Sequence, residues 1–570
     1  MMNVRKALME DISAGIAAAI TAGDLHADAA KVAIAVKPTE GEAHGDYASP
    51  IALQLSRYGG IVQGKPLEMV EIIVRHMPKK EYVEKIEAAA PGFLNITIST
   101  EYLAARMDDI PHEDACAACN AGNGKSINME FISANPTGPL TLGNARTAFS
   151  ADTLANVFAC AGYNVTREYY INDAGVQIQR LGESVLRRIL QQEGHRIAFP
   201  EELYQGEYIA DMAKDIAEEL KETEQKKFAN KDIEDEALLA QVSTLALQRC
   251  LASIKKTIAD DLHIQFDVYS SERTVHASGE IEQVLAKLRK KELTYKKDDA
   301  EFLQTTKFGD DKDRVIVKKD GTYAYITPDI AYHQNKFDRK FDMIFTFLGA
   351  DHQGHIPKLK AALSALGNDV EKLHMVVAQF LAITQAGKPV KLSKRKGNVY
   401  GPADLIQEIG YDAARFFMVQ HALQHHMTLD LDAAKEKSEA NPVYYVQYAY
   451  VRLQSILRKA KEMGVSFEDN ATEEISAKVS LTNDSERALA LAFHRFPEVI
   501  EDIASSFAVH QLPFFAYDLA RAINVFYRDV PILAEEDEEL RLSRLQIALS
   551  ARFVLAKTLD LLGISKPDVM

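Results

Sequence analysis

The chain of 570 residues contains no tryptophan and only four cysteines, Cys116, Cys119, Cys160 and Cys250. So few thiols cannot staple a fold of this length, which excludes a small disulfide-built scaffold. Cys116 and Cys119 form one C-x-x-C beside His112, with no second pair at metal-ligand spacing. No zinc is therefore expected, and the thiols read as those of a reduced, cytoplasmic protein. No uninterrupted apolar run reaches the length that spans a bilayer, so no membrane partner is expected. The opening stretch MMNVRKALMEDISAGIAAAITAG carries Glu10 and Asp11 in its middle, while Val4, Leu8, Ile12, Ile16 and Ile20 recur every four residues. That pattern is an amphipathic helix and not a signal peptide. Excess positive charge is missing too: the formal net charge is −16. This excludes nucleic-acid binding through bulk charge, but not a large RNA held by local basic patches and polar contacts.

What the chain does have is length for three or four domains and one organising stretch, Ser133 to Arg146, S-A-N-P-T-G-P-L-T-L-G-N-A-R. Before it, Ile127 to Ile132 alternates as a strand; after it, Ala145 to about Ala161 is apolar at helical spacing and ends at Gly162. A strand, a loop with two prolines and two glycines, and a helix start place this loop at the carboxyl edge of a parallel sheet, where ligands bind. The free N–H groups of the helix start suit a phosphate. Gly143 lets a base or phosphate approach the backbone, and Thr141 and Asn144 offer uncharged donors beside it. The alternative is an ordinary βα turn with N-cap residues.

Residues 1 to about 110 read as a small α+β domain, and 111–125 as a linker. Tyr163 to Asp173 reads as a second strand, ending R-E-Y-Y-I-N-D. From about 180 to 300 the chain is helical and charged, an insertion with no active-site signal of its own. Arg314 to Val317 alternates as a strand. In Tyr323-Ala-Tyr325-Ile-Thr-Pro328-Asp329, the proline ends any strand interior, so Asp329 is placed as the cap of a helix. Met343 to Leu348 is a buried parallel strand leading into G-A-D-H-Q-G-H. A further strand near Met375 to Val377 leads towards Lys391-Leu-Ser393-Lys394-Arg-Lys-Gly-Asn. Residues 401–440 read as helical, and 441–570 as a bundle of amphipathic helices.

The glycine-bearing loop resembles the HIGH signature of class I aminoacyl-tRNA synthetases in the form carried by arginyl-tRNA synthetases, with Thr141 and Asn144 replacing both histidines. Lys391 to Asn398 is similar to the KMSKS signature of the same class, with Leu392 for its methionine. It lies downstream in the required order. The fold implied is a Rossmann-like parallel-sheet catalytic core (126–400), flanked by an N-terminal α+β domain for the tRNA elbow (1–110), connecting helices (401–440) and an all-α anticodon-binding domain (441–570).

The resemblance implies a ligase that uses ATP with Mg²⁺, L-arginine and tRNA(Arg), acting as a monomer. Lys391 and Lys394, with Asn144 and Thr141 opposite, would stabilise the phosphates. Pro136, Gly138, Gly143 and Ser393 complete the ATP site. Asp329 would face the guanidinium, with Tyr325 as a wall and His352 as a further polar contact. Glu130, Ser133 and Asn135 would grip the α-amino and carboxylate groups. A salt-bridged strand residue is the other reading of Glu130. Phe93 and Asn95 would meet a D-loop base, unless Phe93 is core and Asn95 a turn residue. Tyr445, Tyr448 and Arg452 offer stacking faces to anticodon bases, at least one tyrosine being core. No dedicated protein metal cage is expected. Two rivals remain in view: an inactive synthetase-like tRNA-binding protein, motivated by the lost histidines, and a class I enzyme for another amino acid, against which Asp329 argues.

Overall fold

The computed structural model describes residues 3–39, 44–56, 65–107, 116, 119–224, 233–390, 400–465 and 478–570. Contacts divide the chain into two compact units. One joins the first 121 residues and Cys160–Gly162 to the last segment, Tyr444–Met570; the other spans most of what lies between.

In the first unit a four-stranded antiparallel sheet is packed by the helix Val4–Ala22, which buries Val4, Leu8, Ile12 and Ile16. Asn3 caps that helix by accepting from the Lys6 N–H. The N-terminal segment and the C-terminal helices, read from the sequence as separate domains, share polar contacts within this unit. Arg5 bonds Asp502 in bidentate fashion at 2.6 and 2.7 Å, Tyr47 donates to Glu498 at 2.9 Å, and Arg487 grips Asp46 at 2.6 and 2.9 Å. The cysteines correct the sequence reading. Cys116 is not paired with its neighbour Cys119 but is disulfide-bonded to Cys160, with Cα atoms 4.9 Å apart. Cys119 and Cys250 are free and buried.

The second unit is built on five parallel strands: β1 (Ser126–Glu130), β2 (Asn164–Ile171), β3 (Val268–Ser271), β4 (Met343–Gly349) and β5 (Leu373–Ala378), in the order β5-β4-β1-β2-β3. Buried runs such as Ile344 to Phe347, apolar but for Thr346, are what a sheet covered on both faces requires. Strand order reverses between β1 and β4, so their following loops open a crevice at the carboxyl edge. Helix α1 (Leu142–Cys160) leaves the β1 loop. Helices α2 (Val176–Gln192), α3 (Glu207–Glu224) and α4 (Glu236–Lys256) form the insertion around their own apolar cluster, from Leu181 to Cys250. By length and composition the stretch Glu236–Asp261 could cross a bilayer. One stripe of it, Leu238, Val242, Ala246 and Cys250, is instead buried in that cluster.

Three local readings change. Strand β3 lies inside the range read as insertion, yet pairs with β2 as the sheet's edge. Within 401–440, the short strand β7 (Met427–Asp430) pairs in parallel with β6 (Leu381–Gln385). Helix α5 (Ile326–Asp338) begins at Ile326 after Tyr325, so Asp329 sits inside its first turn and does not cap it. Pro328 is the third helical residue, where no intrahelical N–H bond is lost.

Candidate functional site

The crevice between β1 and β4 is built first from backbone. Ile132 and Ser133, just past β1, hold left-handed conformations with φ of 65° and 36°. For a β-branched residue this is strained and persists only where neighbours over-determine it. Those neighbours are present. The Tyr170 N–H donates to Ser133 Oγ at 3.1 Å, and Ser133 Oγ donates to Glu130 at 2.9 Å. Tyr169 Oη donates to the Ala134 carbonyl at 3.0 Å, and Asn172 donates to Asn135 Oδ1 at 2.8 Å. From the insertion, Tyr208 Oη donates to the Thr137 carbonyl at 2.8 Å.

At the start of α1, Thr141 and Asn144 cap each other. Thr141 N–H and Oγ1–H both donate to Asn144 Oδ1, at 2.9 and 2.8 Å, and Thr141 Oγ1 accepts from the Asn144 N–H at 3.3 Å. This is a capping box with Asn in the acidic position. The cap engages the Thr141 proton and leaves the Asn144 Nδ2 donors outside it. Among the described residues, a Cβ at Gly143 would meet only Thr141 Oγ1 within 4 Å, at 3.6 Å, which leaves the space over it open. Arg146, one turn on and fully buried, donates to the carbonyls of Gln379, Ala422 and His425 at 2.8, 2.9 and 2.8 Å. It thereby ties α1 to the segments that launch β6 and β7. Lys391, Ser393 and Lys394 lie outside the described residues.

Helix α5 sets the acidic side. Asp329, His333 and Lys336 fall at i, i+4 and i+7, one stripe of the helix. The fully buried Lys336 ammonium reaches Glu130 at 2.5 Å and Thr346 Oγ1 at 3.3 Å. The structure thus places Glu130 in a buried ion pair, with its other oxygen taken by Ser133. His333 donates from Nδ1 to the Asp329 carbonyl at 2.9 Å; burial, then the nearby Lys336 charge, push its pKa down to about 3. Asp329 itself presents a partly exposed carboxylate, 2.8 Å from His355 Nε2. Tyr325, 70% exposed, stands at the mouth with its ring edge-on to His355 at 6.2 Å. His352 is on the same loop, 3.6 Å from Asp351.

The sequence reading passed over four residues here. Glu272 follows β3, and burial, then Asp329 and Asp173, raise its pKa to about 7. That assigns a second carboxylate to the field of Asp329; the signal was its place at the end of F-D-V-Y-S-S-E-R. His355 was readable as a polar residue past a buried strand, and Lys336 as the i+7 partner of Asp329. Glu168, from R-E-Y-Y-I-N-D, is a buried hub bonded by Asn128, Ser270, Arg339 and Tyr332 at 2.6–2.9 Å. Burial would raise its pKa, but Lys336, Ser270 and Arg339 overcome it and hold the carboxyl down at about 2.

A second surface lies on the C-terminal helices of the first unit. A pocket of about 520 Å³ is lined by Tyr448, Arg452, Lys459 and Tyr527, among others. The Arg452 guanidinium lies 4.4 Å from the Tyr448 ring centre and 5.1 Å from that of Tyr527, and donates to Asn524 at 2.6 Å. Tyr445 meets Tyr517 at 5.0 Å, outside the residues that line this pocket. Phe93 and Asn95 share one face of the strand Phe93–Ile98; Phe93 is half-buried and Asn95 only 9% exposed.

Comparison with known proteins assigns a family to each part of the chain. Residues 6–98 match the arginyl tRNA synthetase N terminal domain, 108–456 the class I (R) tRNA synthetase catalytic domain, and 446–570 the DALR anticodon binding domain. The chain is 39% identical to an arginine–tRNA ligase of Geobacillus kaustophilus over 97% of both chains. It is 36% identical to one from Shouchella clausii over 100% of both. A solved Thermus thermophilus arginyl-tRNA synthetase is similar in fold, with a TM-score of 0.76 at 22% identity, covering 99% of this chain and 100% of that one. A nucleotide-type crevice with two carboxylates beside it, matched end to end by these relatives, places the chain in the class I arginyl-tRNA synthetase family.

Proposed function

We propose that this family's reaction, arginine–tRNA ligation, runs in the β1/β4 crevice with a specific division of labour. An arginine carboxylate oxygen attacks the α-phosphorus of ATP, and pyrophosphate leaves. The 2′-OH of the terminal tRNA adenosine then attacks the activated carbonyl carbon, and AMP leaves. The observation that carries this reading is the carboxylate pair. Asp329, with His355 Nε2 2.8 Å from one of its oxygens, and Glu272, within its field, give an anionic end suited to a bidentate guanidinium. Tyr325 walls that end. Asn135, Ser133 and His352 serve the α-amino and carboxylate groups, and Glu130, oriented by Lys336, keeps acceptor capacity for the α-ammonium.

On the nucleotide side, the open backbone at Gly143, the free donors of Asn144 and the α1 N-terminus receive phosphate, with Pro136, Gly138 and Thr141 shaping the loop. Lys391 and Lys394, with Ser393, would supply charge to the phosphates; phosphoryl transfer needs such positioning more than covalent help. No cluster of three metal-ligating side chains occurs among the described residues. Mg²⁺ would enter as the ATP complex, held mainly by phosphate oxygens and water.

Phe93 and Asn95 would meet the tRNA elbow, and Tyr445, Tyr448 and Arg452 the anticodon. A monomeric, cytoplasmic enzyme completes the proposal. Nothing observed favours the inactive reading. The test is aminoacylation of total tRNA across a panel of amino acids, with arginine-dependent ATP–pyrophosphate exchange in the presence of tRNA. Charging with arginine alone is expected; charging with another amino acid, or none, would overturn the assignment.

A further inference from the structure

The helical insertion has its own apolar core and carries no active-site signal in its sequence. One of its side chains nevertheless reaches the nucleotide loop. Tyr208, in the first turn of α3, donates from its phenol to the Thr137 carbonyl at 2.8 Å. The same oxygen closes the space over the next residue. A Cβ built on Gly138 would lie 3.0 Å from Tyr208 Oη and 3.2 Å from Cζ, tighter than ordinary contact. Gly138 has no positive φ to require glycine; it is the approach of Tyr208 that leaves no room for a side chain.

Pro136 and Leu140 pack the loop by burial, but little hydrogen bonding reaches its apex. Pro136 and Pro139 have no N–H to give. Among the described residues, the Tyr208 bond is the one hydrogen bond reaching residues 136–140 from outside the loop. The strained Ile132–Ser133 turn at its root is braced by β2, through Tyr169, Tyr170 and Asn172. Beyond the apex, the loop runs into the Thr141–Asn144 cap and the open face of Gly143. A carbonyl pinned at Thr137, four residues ahead of that cap, sets where the cap and the helix start stand.

We propose that Tyr208 is a positioning residue for adenylate formation, through which the helical insertion fixes the apex of the nucleotide loop by one hydrogen bond and one steric stop. The proposal rests on the reading of residues 136–144 as the nucleotide loop.

The test uses the full chain and ATP–pyrophosphate exchange with arginine and tRNA. Tyr208→Phe removes the hydrogen bond and keeps the ring. Loss of one such bond is expected to lower kcat about tenfold and raise the ATP KM a few fold. Arginine KM should stay within twofold and the melting temperature unchanged. Gly138→Ala presses on the same contact from the other side and should lower kcat comparably. Because Phe removes the oxygen that the new methyl would strike, the two losses should not multiply in the double variant. Exchange by Tyr208→Phe at the wild-type rate would overturn the proposal. So would fully multiplicative losses, or a joint fall of arginine affinity, ATP affinity and melting temperature. Gly143→Val tests the underlying reading separately. It fills the open face and should raise the ATP KM at least tenfold without affecting stability. A normal ATP KM there would remove the nucleotide from this loop, whatever Tyr208 does.

Discussion

Asp329 has two carboxylate oxygens, and His355 stands 2.8 Å from one of them. The other oxygen and Glu272 are left to meet a cation. A charge-assisted pair of this kind contributes about 1.5–3 kcal/mol, so Asp329→Ala should raise the arginine KM about 10- to 100-fold. ATP affinity should barely move, and steady-state exchange kinetics separate the two. Glu272 adds a pH dependence. Burial, Asp329 and Asp173 raise its pKa from 4.5 to about 7, so near neutrality a bound guanidinium must displace its proton. Arginine KM should therefore fall as pH rises through 7, and Glu272→Gln should flatten that profile. The stability sign follows from the same shift. The folded chain holds this proton more tightly than the unfolded chain, so the contribution is full below about pH 4.5 and is lost as pH rises through about 7. Thermal melts should accordingly show Glu272→Gln gaining more at pH 8 than at pH 5.

At the scale of elements, α5 carries chemistry at one end and structure at the other. Lys336 is fully buried and pairs with a carboxylate whose side chain is 7% exposed. Lys336→Met leaves Glu130 without its cation, at a cost of about 3–5 kcal/mol, and a second change, Glu130→Gln, should recover much of it. Denaturant titration of the single and double variants checks this; a single variant as stable as the parent would refute the pairing.

This helix also marks how far the sequence could be read. The strands around it were legible, because β4 is apolar but for Thr346 and β1 alternates. The β1 loop and the start of α1 were legible from glycine, proline and the change of period. The start of α5 was not, because Pro328 looks like a barrier and in fact fits the first turn of a helix. Strand β3, V-Y-S-S, was hidden because four half-polar residues at a sheet edge carry no apolar period. Asp329 could be named from its motif, whereas Glu272 had only its place in F-D-V-Y-S-S-E-R, since the burial and the field of Asp329 and Asp173 that raise its pKa exist only once β3 stands beside β2. The Glu130–Lys336 pair, 206 residues apart in sequence, is likewise a product of packing alone.

For the whole molecule, the thiols give a direct test. With Cys116 bonded to Cys160 and the other two free, the chain denatured without reductant should present two reactive thiols, mapping to Cys119 and Cys250. Four reactive thiols would refute the pairing. Closing a loop of 44 residues stabilises by about 4 kcal/mol on chain-entropy grounds, so Cys160→Ser should unfold at lower denaturant.

The first and last segments of the chain share one unit, and this orders events during synthesis. Translation delivers the helix Val4–Ala22 and its sheet well before Glu498 and Asp502, their eventual polar partners. At about 5–20 residues per second, the wait lasts on the order of tens of seconds. During that interval the nascent amino end has no C-terminal helices to dock against, and the faces that later meet them stay open to solvent.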